Sequence, residues 1–148
     1  MSCSTTRTAD GSERTRVRLS DRLVHGKKRI AVVLVGHGSK AKDFDGAMKK
    51  VARALRKGPF ASVCCAYLEI NSPSIPEAVE SAVRDGSREV RVLPYFLLSG
   101  RHIREDIPRI VSEERGRWKN KAKIVLCPYL GFDPRIVEVV RERVKHGR

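Results

Sequence analysis

Long apolar runs are missing from this chain. No stretch of its 148 residues approaches the ~20 consecutive apolar residues that a membrane helix needs, so no membrane partner is expected. Aromatic residues make up only 5% of the chain, too few for an obvious series of base-stacking platforms. No helix-turn-helix, zinc-finger or RNA-recognition signature is present, so no motif supports a nucleic-acid partner. The four cysteines, Cys3, Cys64, Cys65 and Cys127, form no C-x-x-C pair, which removes the usual zinc and redox motifs. Cys64 and Cys65 lie in an apolar run and read as buried free thiols, as expected in a reducing, cytoplasmic compartment. Acidic residues are also in deficit, 17 against 31 Lys and Arg, for a formal net charge of +14. Such a surface attracts anions, whether nucleic acid, phosphate or a polycarboxylate.

What is present fits one domain of ordinary size. Residues 1–28 have no apolar periodicity and read as a disordered basic tail. They contain no apolar segment of the secretory kind, and Asp10, Glu13 and Asp21 argue against a transit peptide. Residues 29–148 then alternate two patterns. Ile30 to Val35 are six apolar residues, mostly β-branched, the pattern of a parallel strand buried on both faces. Phe44, Ala47, Met48, Val51 and Leu55 follow at helical spacing, with Asp43 as the expected N-cap and Gly58-Pro59 as the stop. A second strand is expected at Ser62 to Leu68. Ser74 and Glu77 have capping-box spacing before a helix faced by Ile75, Ala78, Val79, Ala82 and Val83 and ended by Gly86.

Glu89 to Leu93 form a third strand and lead into the apolar connection Tyr95 to Leu98. Ile103, Ile107, Ile110 and Val111 outline a third helix, with Pro108 near its start. Arg115 to Lys121 read as a basic turn. Lys123 to Cys127 are the fourth strand. Asp133 and Pro134 open a last helix with the stripe Ile136, Val137, Val140 and Val144. Strands alternating with helices predict an α/β fold, a parallel sheet covered by helices on both faces.

Three polar groups fall beyond the carboxyl ends of strands, the edge where open α/β sheets bind ligands. They are His37, Glu69 and His102. Two imidazoles and a carboxylate suit a borderline divalent metal and could also transfer protons. Alternatives remain at this level: His37 could merely cap the next helix, and Glu69 could pair with an arginine. Topology sets the sheet edge but not the lateral distances. His25 and His146 read as solvated.

Several blocks in order then resemble a known family. They are V-L-V-G-H-G-S at 33–39, A-Y-L-E-I-N-S-P-S-I-P-E-A at 66–78, V-L-P-Y-F-L-L-S-G-R-H-I-R-E-D-I-P at 92–108 and G-F-D-P-R at 131–135. Together they resemble the small CbiX/SirB-type sirohydrochlorin chelatases, members of the class II chelatases, and cover everything except the tail. The resemblance implies a chelatase-like half-domain that inserts a divalent metal into sirohydrochlorin, with cobalt, for cobalamin synthesis, expected before nickel or iron. It implies His37 and His102 as metal-handling residues, Glu69 at the site, no organic cofactor, and a homodimer. Lys40 stands where many relatives have arginine, which keeps the charge but loses a bidentate carboxylate clamp.

A flat macrocycle bearing eight carboxylates suits a +14 chain. The loop Tyr95, Phe96, Leu97 and Leu98 could pack on its face. Gly36, Gly38, Ser39, Ser99 and Gly100 could offer backbone N–H groups to its carboxylates. Histidine phosphatases also place a histidine after a strand, but Gly36 occupies the position of their phosphate-clamping arginine. The non-enzymatic alternatives are a tetrapyrrole or metal carrier and a basic nucleic-acid-binding module.

Overall fold

The computed structural model describes residues 29–147. The expected tail, with Cys3 and His25, lies outside them. The strands are β1 (Ile30–Gly36), β2 (Ser62–Tyr67), β3 (Glu89–Pro94) and β4 (Lys123–Leu126). The helices are α1 (Gly46–Leu55), α2 (Ile75–Arg84), α3 (Ile107–Trp118) and α4 (Pro134–Lys145). All strands are parallel, in the order β2-β1-β3-β4. The chain steps from β1 to one side, then crosses back to the other. This reversal makes a topological switch point beyond the carboxyl ends of β1 and β3.

The interior strand β1 is buried from Ala31 to Val35. Val33 and Val35 face one layer, which they share with Val79 of α2 and with Ile107 and Val111 of α3. Val32 and Leu34 face the other, against Met48 and Ala52 of α1. Burial on both faces is why this segment needs an unbroken apolar run rather than alternation. The capping box forms as expected, Ser74 accepting from the Glu77 backbone and Glu77 accepting from Ser74. Among the described residues, no helix is long and apolar enough to cross a membrane.

Five expectations need correction. The N-cap position of α1 belongs to Asp45, not Asp43, which takes a positive φ of 55°. Asp45 does not cap either: its carboxylate is buried and accepts from the Tyr67 hydroxyl and the Lys49 ammonium. Phe44 and Val51 stay at the surface, so the α1 core face is narrower than its apolar stripe. The basic segment expected as a turn is helical through Trp118. There Arg115 donates to the Ile124 carbonyl, and Trp118 donates to buried Glu114. Finally, α4 buries none of its residues completely, and Val139, Val140 and Val144 are exposed. Cys64 and Cys65, expected to be buried, are half-buried, as is Cys127.

Candidate metal-handling site

Two backbone hydrogen bonds extend the sheet past its last ladder pair. Leu68 N–H donates to the Gly36 carbonyl at 3.0 Å, and Glu69 N–H to the His37 carbonyl at 2.9 Å. They lock the loop after β2 beside the loop after β1 and bring Glu69 abreast of His37. Gly38 makes the approach possible. Its φ is +104°, and a Cβ there would lie 1.9 Å from the Glu69 carbonyl oxygen. Asn71 adds a clamp, its Oδ1 accepting from Ser39 N–H at 2.8 Å.

His102 arrives from the other side of the switch point. After β3 the chain enters a single π-helical turn, His102–Asp106, which runs directly into α3. The His102 and His37 rings meet edge to face, with centroids 5.0 Å apart. His37 Nε2 lies 4.0 Å from Glu69 Oε2, too far for a hydrogen bond. One ligand atom from each of His37, Glu69 and His102 can be chosen so that all lie within 4.8 Å of one another. Ligands sharing one tetrahedral first-row ion stand about 3.4 Å apart, so modest side-chain rotation closes the set around an ion. The side chains remain 49%, 53% and 32% exposed. Three ligands with an open face resemble a catalytic or transfer site more than a closed structural one.

The described cysteines offer no rival ligand set. Burial pushes the Cys64 thiol up to about 11 and also raises those of Cys65 and Cys127, which disfavours the thiolate that metals require.

The predicted substrate contacts divide. Leu97 and Leu98 are exposed, whereas Phe96 packs against the core layer of α2 and α3, and Tyr95 against that of α1. Ser39 N–H is already engaged by Asn71, and the Ser39 hydroxyl accepts from Ala41 N–H. Gly36 sits against Met48 and Tyr67. The Gly100 carbonyl accepts from Ile103 and Arg104, and Ser99 accepts from Arg104 Nε. Two polar residues escaped the reading of the sequence. Asn71 lacks a local signal, because its partner is 32 residues away. Asp106, which contacts His102 Nδ1 at 2.8 Å, was signalled by its four-residue spacing from the histidine.

The CbiX family model matches residues 31–147. A sirohydrochlorin cobaltochelatase of Sulfolobus acidocaldarius is 35% identical over 116 residues, covering 78% of this chain and 90% of that protein. The structure of the sirohydrochlorin chelatase SirB of Bacillus subtilis subspecies spizizenii in complex with cobalt aligns with a TM-score of 0.71 and 27% identity. The alignment covers 80% of this chain and 50% of SirB. SirB from Bacillus subtilis with Fe3+ aligns equally well, at 0.71 and 25% identity, covering 80% of this chain and 47% of that one.

Proposed function

The chain belongs to the CbiX family, and from that membership we propose that it is a sirohydrochlorin chelatase inserting a divalent metal, cobalt first, into the macrocycle. One observation carries the reading to this chain's own residues: His37, Glu69 and His102 converge, with an open face, at the switch point of the sheet. The relatives' names supply the substrate, and cobalt is named both for the Sulfolobus enzyme and in a SirB complex.

In the proposed mechanism, neutral His37 and His102 replace part of the water shell of the incoming ion. Both imidazoles must be unprotonated to do so. The macrocycle lies over the open face with its pyrrole nitrogens toward the ion, and Leu97 and Leu98 contact its apolar face. Metal enters as a dication and two pyrrole N–H bonds break. Glu69, or a histidine freed as the ion departs, accepts those protons and passes them to solvent. Charge balances: a dication enters and two protons leave, with no change of oxidation state. An ion held by three partly exposed ligands is also easily surrendered, which a transferring enzyme needs and a storage protein does not.

The active unit is a homodimer, and the exposed apolar side chains of α4 support that assignment. The test is anaerobic metallation of sirohydrochlorin followed by absorbance, with cobalt(II), nickel(II) and iron(II) in parallel. Acceleration over the uncatalysed rate is expected, greatest with cobalt, and lost by at least 100-fold in His37→Ala and His102→Ala, the order of a removed catalytic metal ligand or proton-transfer group. Folded protein that accelerates no metal overturns the enzyme reading in favour of a carrier.

A further inference from the structure

The two histidines of the site are held differently. Among the described residues, the one hydrogen-bond contact of His37 Nδ1 is the adjacent Gly38 carbonyl, at 3.2 Å on the exposed surface. His102 Nδ1 faces the Asp106 carboxylate at 2.8 Å, with 24% of the Asp106 side chain and 32% of the His102 side chain exposed. The pair lies in a π-helical turn, where Ile107 N–H returns to the His102 carbonyl, closing a loop with one residue more than an α-helical turn, and its four-residue spacing is one at which helical side chains meet. Such turns recur at functional sites because they re-aim a side chain within a helix. Asp106 has no other described hydrogen-bond partner, so its carboxylate serves the imidazole.

We propose that Asp106 is a positioning residue that fixes His102 as the Nδ1–H tautomer, presents Nε2 to the incoming ion, and makes His102 the anchoring ligand of the pair. The physical reason is direct. A carboxylate accepting from Nδ1–H leaves the Nε2 lone pair free, and its negative charge raises the electron-donating power of that nitrogen. A neutral carbonyl does this more weakly, and an exposed one more weakly still. His102 is therefore pre-set for the metal, while His37 and Glu69 rotate in to complete the set. The metal-binding part of this inference rests on the chelatase reading; the tautomer part does not.

The test uses the full-length protein and reads tautomer and binding rather than turnover. Nitrogen-15 NMR of the histidine rings should report His102 as the Nδ1–H tautomer in wild type, with a shift toward Nε2–H in Asp106→Ala. Cobalt(II) titration, read by ligand-field absorbance, should show a ~10–100-fold loss of affinity in Asp106→Ala, the usual scale for removing such a partner. Asp106→Asn, which keeps the shape and an acceptor oxygen, should lose less, and Asp106→Glu should recover part of the loss. Sirohydrochlorin binding without metal should stay within about twofold of wild type in all three, as a positioning role toward the metal requires. An Nε2–H tautomer in wild type, or cobalt affinity in both Asp106→Ala and Asp106→Asn within twofold of wild type, overturns the proposal. Wild type that binds no cobalt overturns the metal site itself, and the tautomer measurement still decides whether Asp106 governs His102.

Discussion

Gly38 has no room for a side chain. A Cβ on it would collide with the Glu69 carbonyl, and its φ of +104° is one that L side chains rarely adopt. Gly38→Ala must therefore move the loop after β1 away from the loop after β2. The stability cost should be about 1–3 kcal/mol, the usual scale for a strained backbone residue, seen as a lower Tm. The larger effect should fall on the site, because the His37–Glu69 juxtaposition depends on that contact. Cobalt(II) affinity should drop by at least tenfold, and unchanged affinity in the folded variant would show that the close approach is incidental. Of the three convergent side chains, each was legible in the sequence, because each follows a recognisable apolar strand. Their mutual distances were not, because they depend on strand order and on backbone contacts between loops about 30 residues apart, Leu68 to Gly36, Glu69 to His37 and the close approach at Gly38. Phe96 shows the same limit: an apolar loop announces burial without saying whether ligand or core provides it.

At the scale of elements, the start of α1 departs most from local rules. Asp45 occupies the N-cap position yet spends its carboxylate on Tyr67 and Lys49. A long-range buried partner has displaced the local cap, which is why reading the segment alone favoured Asp43. The Tyr67 hydrogen bond is the main influence holding the Asp45 carboxyl below its ordinary range. Burial first, and then Asp45, pushes the Tyr67 phenol well above its own. The signs follow. A depressed carboxyl contributes stability that is present above about pH 4 and is lost as pH falls through its folded value. A raised phenol contributes stability that is complete below about pH 10 and is lost as pH rises beyond that. Tyr67→Phe should cost about 1–3 kcal/mol near neutrality, the range for a hydrogen bond to a charged group. Denaturant melts across pH should show this difference shrinking below pH 4 and again above pH 10; a pH-independent difference would assign the loss to packing. The order of strands and helices was readable from periodicity alone. The helical run Arg115–Trp118 was not, because its charged residues carry no apolar period and are held by partners on β4, on α2 and within α3.

For the whole molecule, charge and apolar surface pull in opposite directions. A net charge of +14 opposes self-association. Yet Leu98 and Phe132 are 84% and 83% exposed, and Val139, Val140 and Val144 of α4 are bare as well. Four of the ionic side chains of α4 pair within the helix, Glu138 with Arg141 and Glu142 with Lys145, and among the described residues Arg143 makes no ion pair, so most but not all of the charge beside this face is balanced locally. Asp133, which caps the helix, is held down to about 2 by its fork with Arg135. An apolar helix face whose flanking charges are mostly paired is suited to a second copy of the same chain, because closed two-fold contacts bring like against like. The SirB comparison is consistent in size, since the matched portion is 50% of that protein. Light scattering at tens of micromolar should therefore report a dimer, tighter at 0.5 M than at 0.05 M salt, because screening weakens the repulsion and leaves apolar burial intact. Val140→Asp should shift the chain to monomer without lowering its Tm by more than a few degrees, since the residue is exposed within its own subunit. Cobalt(II) binding at His37, Glu69 and His102 should survive, because one chain supplies all three. Metallation should fall with the dimer if the macrocycle is gripped by two copies. Retained metallation by a monomer would place the whole reaction within one chain, and a variant that remains dimeric would move the seam away from α4.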